Sequence, residues 1–289
     1  MIIHDTMIVN TKEMLEQAKR EHYAVPHFNI NNLEWTRYIL EACQENKSPV
    51  IIGVSEGAIQ YMGGALTVAN MVRSLVQDLA ITVPVAIHLD HGSSVESCKT
   101  CIDAGFTSVM IDASKYDLAE NIRIVKEVVA YAHPKDITVE AEIGHIGGME
   151  DHVSSSIAYA DQNDAIRLVT ETKIDTLAPA VGSVHGIYKG LPNIRIDLIN
   201  DIKHDTALPL VLHGGSGIPD DIIRNSIIAG ICKLNINTEL QLAWSQAVRQ
   251  YLQEQPDIYD PRKIIKSGAS AMKQMIKEKI LLLGSNDKA

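Results

Sequence analysis

Along the chain, short apolar runs alternate with longer stretches in which apolar residues recur every three or four positions. The runs fall at 23–28, 49–54, 84–89, 107–111, 137–142, 175–180, 209–212 and 231–235. Their length and Val/Ile content predict buried strands. The longer stretches, at 11–20, 33–46, 66–80, 94–104, 118–132, 162–171, 195–204, 219–228, 239–254 and 262–282, carry the i, i+3/i+4 spacing of amphipathic helices. Cap signals agree: Ser94 opens Ser-Val-Glu-Ser, Asp161 precedes Gln-Asn-Asp, and Pro219 suits a first turn. Strict alternation implies parallel strands joined by right-handed crossovers, and eight such units imply a closed (β/α)8 TIM barrel. The alternative is an open doubly wound sheet. That usually places a glycine-rich turn after its first strand, and Val25-Pro26-His27-Phe28-Asn29 leads into none. Residues 144–156, rich in Gly and Ser, follow the fifth strand. They read equally well as a lid at the barrel mouth or as a plain long connection.

A length of 289 residues suits one such barrel with C-terminal helices, about 239–282, packed on it or on a neighbouring subunit. The composition, 46% hydrophobic but only 4% aromatic, calls for a core of Ile, Val, Leu and Ala, as in parallel sheets. A net charge of −10 argues against nucleic acid or an acidic membrane as partner, yet leaves room for a small anionic substrate. No segment approaches the ~20 apolar residues of a membrane span, and no signal peptide is evident, so a cytoplasmic protein is expected. Cys98 and Cys101 form a C-x-x-C without a second copy, inside a predicted helix. Two half-buried thiols one turn apart is a better reading than a redox or zinc motif.

The candidate chemistry lies where the runs stop. Asn29, Ser55, Asp90 with His91, Asp112, Glu142, His185, His213 and Asn235 close them in turn. In this fold the active site gathers at the C-terminal ends of the strands. His91, His185 and His213 are each followed by Gly, which lets the backbone pass close to a ligand. Three neutral imidazoles suit a zinc ion with an open fourth position, able to polarise a carbonyl, with Asp90 beside it as general acid/base. Asp112 and Glu142 read as further ligands or as groups supporting them, and Asn29 and Ser55 as substrate contacts or caps. His88 reads as a core or supporting residue. The Gly214-Gly215-Ser216-Gly217 turn and the segment Asn235-Ile236-Asn237-Thr238 follow the seventh and eighth strands, where this fold usually binds phosphate; Lys189 would add a cation.

The motifs V-A-I-H-L-D-H-G, V-M-I-D-A-S, V-E-A-E-I-G-H-I-G-G, G-S-V-H-G-I-Y-K-G, V-L-H-G-G-S-G-I-P and K-L-N-I-N-T-E resemble, in order and spacing, those of class II zinc-dependent ketose-bisphosphate aldolases, the group that includes fructose- and tagatose-bisphosphate aldolases. The resemblance implies a catalytic zinc on His91, His185 and His213, with Asp90 exchanging the proton of the C4 hydroxyl. It implies a second or displaced divalent ion at Asp112 and Glu142, and a sodium or potassium ion near the phosphate. Gly186, Gly214, Gly215, Ser216 and residues 235–238 would hold the dihydroxyacetone phosphate part, with Lys189 on its phosphate. Asn29 and Ser55 would touch the sugar, and Arg262 would reach the far phosphate, commonly from a neighbouring subunit of a homodimer or homotetramer. Two positions depart from the family pattern: Lys115 stands where His is common, and His145 where Thr or Arg is usual. Both bear on sugar specificity, so fructose 1,6-bisphosphate, tagatose bisphosphate and a phosphorylated deoxy-ketogluconate stay open.

Three rivals are weaker. A Schiff-base aldolase would need an inward lysine, for which Lys233 is the nearest candidate, and would leave the histidines unexplained. A barrel hydrolase would carry H-x-H on its first strand, where His27 stands alone. A non-catalytic sugar-phosphate-binding barrel would tolerate loss of Asp90 or of a zinc histidine, and all are present.

Overall fold

The computed structural model describes residues 7–150, 153–155, 158–186, 188 and 190–289; Lys189 and His152 lie outside the described residues. Eleven described strands are present: β1 Val25–Asn29, β2 Val50–Ser55, β3 Val85–Gly92, β4 Ser108–Ile111, β5 Thr138–Ile143, β6 Gly147–Glu150, β7 Val153–Ser155, β8 Thr176–Pro179, β9 Val184–His185, β10 Leu210–Leu212 and β11 Ile231–Ile236. Eight of them close a parallel barrel in the order β1-β11-β10-β8-β5-β4-β3-β2. The closed (β/α)8 barrel therefore stands and the open sheet does not. These strands are buried almost throughout, as expected where helices cover the outer face.

Several helices start where side chains satisfy the first free N–H groups. Asn32 accepts from Trp35 N, Asp117 from Glu120 N, and Asp161 from Asn163 N and Asp164 N. Ser94 and Ser97 bond each other's backbone N–H groups at the head of Val95–Ala104. Pro219 stands just before its helix, Asp220–Ala229, rather than in the first turn.

Three departures from the sequence reading have physical causes. The stretch 262–282 is two helices, Pro261–Lys266 and Ala269–Leu283. Between them Gly268 lies so close to the Trp244 indole that no side chain would fit. The short helix Glu56–Tyr61, capped by Ser55, follows β2 directly and is too brief to show a period. Within 144–156, β6 and β7 pair antiparallel, and β6 also pairs with β9. A small sheet thus stands on the barrel mouth in place of a plain connection.

The C-terminal helix Ala269–Leu283 packs against Leu33–Glu45 and Thr238–Glu254. It buries Met272, Ile276, Ile280 and Leu283 in the main core. Among the described residues no helix is long and apolar enough to cross a membrane.

Candidate active site

The candidate residues converge at the C-terminal mouth of the barrel by different routes. Asp112 directly follows β4 and His213 directly follows β10, whereas Glu142 is the last residue but one of β5. His185 does not close the sixth barrel strand, which ends at Pro179; it stands six residues further on, in β9. The parallel pairing of Gly148 with His185 carries it over the mouth. His91 lies within β3 with a positive φ of 50°.

The ligand-capable nitrogens of His91, His185 and His213 all lie within 4.8 Å of one another. Tetrahedral zinc with Zn–N bonds of about 2.1 Å needs nitrogens about 3.4 Å apart, inside that span. His91 Nδ1 is 2.9 Å from Asp112 Oδ2, and His213 Nε2 is 2.9 Å from Glu140 Oε1. Carboxylates only accept, so each of these nitrogens carries its ring's hydrogen. His91 Nε2 and His213 Nδ1 then face each other with lone pairs at 2.8 Å, an arrangement that a shared cation stabilises. Burial lowers His213 and holds His185 well below the usual imidazole range, which favours the neutral form that ligation requires. The donor set fits zinc.

Asp90 is buried beside the trio. Its Oδ2 accepts from Asn29 Nδ2 at 2.9 Å and its Oδ1 from Asn235 Nδ2 at 3.2 Å. Burial pushes its carboxyl up, but His27, His91, His213 and Lys233 outweigh that and hold it well below the usual carboxylate range. Asp112 is also held low: burial opposes ionisation, and bonds from His91 and Ser114 prevail. Glu142 goes the other way. Burial, aided by Asp112, pushes it up to about 8. Two carboxyls of one site are thus split into an ionised and a protonated member. His145 reaches the same group, with Nδ1 3.2 Å from Ser114 Oγ.

A cavity of about 280 Å³ opens next to the trio. Asn29, Asp90, His185, Gly186, Gly214, Ser216, Asn235, Asn237 and Thr238 line it, together with Gln241. Ser216 Oγ accepts from Asn237 N and Glu239 N at 3.3 Å each, joining the glycine turn to the start of helix Thr238–Glu254. The start of that helix, at Thr238, lines the cavity and favours an anion. Gly215 and Ile236 are closely packed there. A Cβ on Gly215 would meet Leu234 and Asn235, and Ile236 is fully buried in the core. Ser55 Oγ accepts from Ala58 N at 3.3 Å. Arg262 lies on an outer helix, its side chain exposed and paired with Asp260 at 2.9 Å.

Sequence reasoning missed Gln241, which sits one turn into a helix. It also missed Glu140, although Glu140 and Glu142 are two residues apart on one strand and so share a face. Beneath the mouth, His27, His88 and Asp90 also bring ligand atoms within 4.8 Å. The Lys233 ammonium, 3.4 Å from His88 Nε2, makes that cluster unsuited to a second cation.

The chain is similar to known aldolases in sequence and in fold. The family described as fructose-bisphosphate aldolase class-II matches residues 9–288. The fructose-bisphosphate aldolase of Geobacillus stearothermophilus is 56% identical over 98% of this chain and 99% of its own. That of Staphylococcus aureus strain Mu50 is 53% identical over the same shares. Among solved structures, the YdjI aldolase of Escherichia coli K12 is 36% identical, with a TM-score of 0.85 over 98% of this chain and 100% of its own. A putative fructose-1,6-bisphosphate aldolase from Coccidioides immitis is 28% identical, with a TM-score of 0.85 over 96% of each chain. With its barrel, histidine trio and glycine turn in place, the chain belongs to the class-II fructose-bisphosphate aldolase family.

Proposed function

We propose that this protein catalyses the reversible aldol cleavage of fructose 1,6-bisphosphate to dihydroxyacetone phosphate and glyceraldehyde 3-phosphate, as a zinc-dependent lyase. The observation that carries this reading is the placement of Asp90, held ionised by its surroundings, on the wall of one cavity together with His185 of the trio and the Ser216 turn. A zinc ion held by His91, His185 and His213 would supply a Lewis acid at the substrate carbonyl, worth several kcal/mol of charge stabilisation. The residues do the rest. Asn29 and Asn235 fix the Asp90 carboxylate, which accepts the C4 hydroxyl proton as the C3–C4 bond breaks and returns it in the synthetic direction. The backbone of Gly214, Ser216 and Thr238, with Lys189, binds the phosphate of the three-carbon fragment that is retained.

His91, Asp112 and Glu142 form a second grouping of ligand atoms, where a displaced or second divalent ion would sit. Glu142 must lose its proton before it can ligate there. Arg262 acts, in this reading, on the far phosphate in a homodimer or homotetramer, and the protein works in the cytoplasm as a single barrel domain. The test is cleavage of fructose 1,6-bisphosphate with and without a chelator, run beside tagatose 1,6-bisphosphate and a phosphorylated deoxy-ketogluconate. Chelator-insensitive cleavage, or trapping of substrate by borohydride, would reject the zinc reading. Faster cleavage of either other sugar would reject the assigned substrate.

A further inference from the structure

Below the histidine trio the barrel interior holds a charged pair that the proposed reaction does not use. Lys233 on β11 and Glu140 on β5 are both buried. Lys233 Nζ donates to both carboxylate oxygens, at 3.0 and 2.8 Å. Taking two such ions out of water costs several kcal/mol each, and well-packed apolar residues often serve stability as well or better. Stability alone is therefore a poor reason for the pair.

Its effect on His213 is specific. Glu140 Oε1 sits 2.9 Å from His213 Nε2 and can only accept, so Nε2 carries the ring hydrogen. On the other side, Asn235 Nδ2 donates to His213 Nδ1 at 3.2 Å, so Nδ1 offers a lone pair. That nitrogen also lies 2.8 Å from His91 Nε2. Lys233 keeps the negative charge on Glu140 compensated in a site that water does not reach.

We infer that the Glu140–Lys233 ion pair is a positioning device, which locks His213 in the tautomer whose Nδ1 faces the metal. Neither residue touches substrate; both act through His213. The inference rests on the zinc reading of the trio.

The double variant Glu140→Leu/Lys233→Met removes both charges and keeps an apolar filling. Its metal-free melting temperature should stay within a few degrees of the parent. Its zinc dissociation constant, measured by competition with a chromogenic chelator, should rise about 10–100-fold. A folded double variant with unchanged zinc affinity would overturn the inference. A second measurement needs no variant. In the ¹⁵N spectrum of the histidine-labelled, metal-free parent, His213 should be protonated at Nε2 and bare at Nδ1; the opposite tautomer would overturn the inference. If the parent bound no zinc at all, the reading of the trio would fall, while the tautomer would still report on the ion pair.

Discussion

Asp90 and His91 are consecutive in the chain, yet both serve the same mouth. Neighbours on a regular strand point to opposite faces. Here the backbone turns to a φ of 50° at His91, and the register of β3 against β4 slips between Leu89 and Gly92. An irregularity of this kind re-aims a side chain. It sets the Asp90 carboxylate beside the His91 imidazole. Asp90→Asn keeps the shape and removes the base, so kcat should fall about 10²–10⁴-fold while zinc content is retained. Steady-state cleavage assays, together with metal analysis of the same samples, check both halves. Loss of zinc along with activity would show that Asp90 acts through the metal site instead.

Asn29 holds Asp90 from the first strand, at 2.9 Å. A hydrogen bond to a charged group is worth about 1.5–3 kcal/mol. Asn29→Ala should therefore lower kcat/KM by roughly 10–100-fold, through kcat more than KM if the amide only orients the carboxylate. A pure KM effect would make Asn29 a substrate contact.

The barrel strands were legible because parallel strands covered on both faces read as continuous apolar runs. Their ends, and with them Asp90, His91, Asp112 and His213, could be read off the same pattern. His185 was read as closing the sixth run, although its strand belongs to the small sheet on the mouth. Gly268 hid a helix break, because the obstacle is Trp244, 24 positions earlier in the chain. Glu140 and Lys233 were harder still. Each looks out of place in an apolar run, and only barrel closure brings together residues 93 positions apart.

Chelation should abolish cleavage, and stoichiometric zinc should restore it. An ion that binds only the folded trio should also raise the melting temperature in a concentration-dependent way, by about 2.7 kcal/mol of stability at 100 times its dissociation constant. Scanning calorimetry across a zinc titration reads this directly. His213→Ala should remove both the activity and the thermal shift.

The C-x-x-C pair should be inert. Cys43, Cys98, Cys101 and Cys232 are all free and buried, and burial pushes the thiols up, that of Cys101 to about 12. The thiolate is the reactive form. An aromatic disulfide reagent at pH 8 should label none of the four thiols in the folded protein and all of them in denaturant. Rapid labelling of Cys98 and Cys101 before unfolding would revive a redox role.

Gly53 makes room for an imidazole. His27 is fully buried beneath Asp90, its Nε2 3.9 Å from Asp90 Oδ1, and a Cβ on Gly53 would overlap that ring at Nε2 and Cε1. Both atoms belong to a stiff ring held between strands, so neither can swing aside as a flexible chain end would. Gly53→Ala should therefore cost about 1–3 kcal/mol by overpacking, measured by denaturant unfolding. The cause can be isolated with a cycle. His27→Ala alone leaves a void and should also destabilise. If the ring is what the new methyl strikes, the two changes together should cost less than their sum, with a coupling of about 0.5–3 kcal/mol. Simple additivity would mean that Gly53 is required by its own backbone and not by His27.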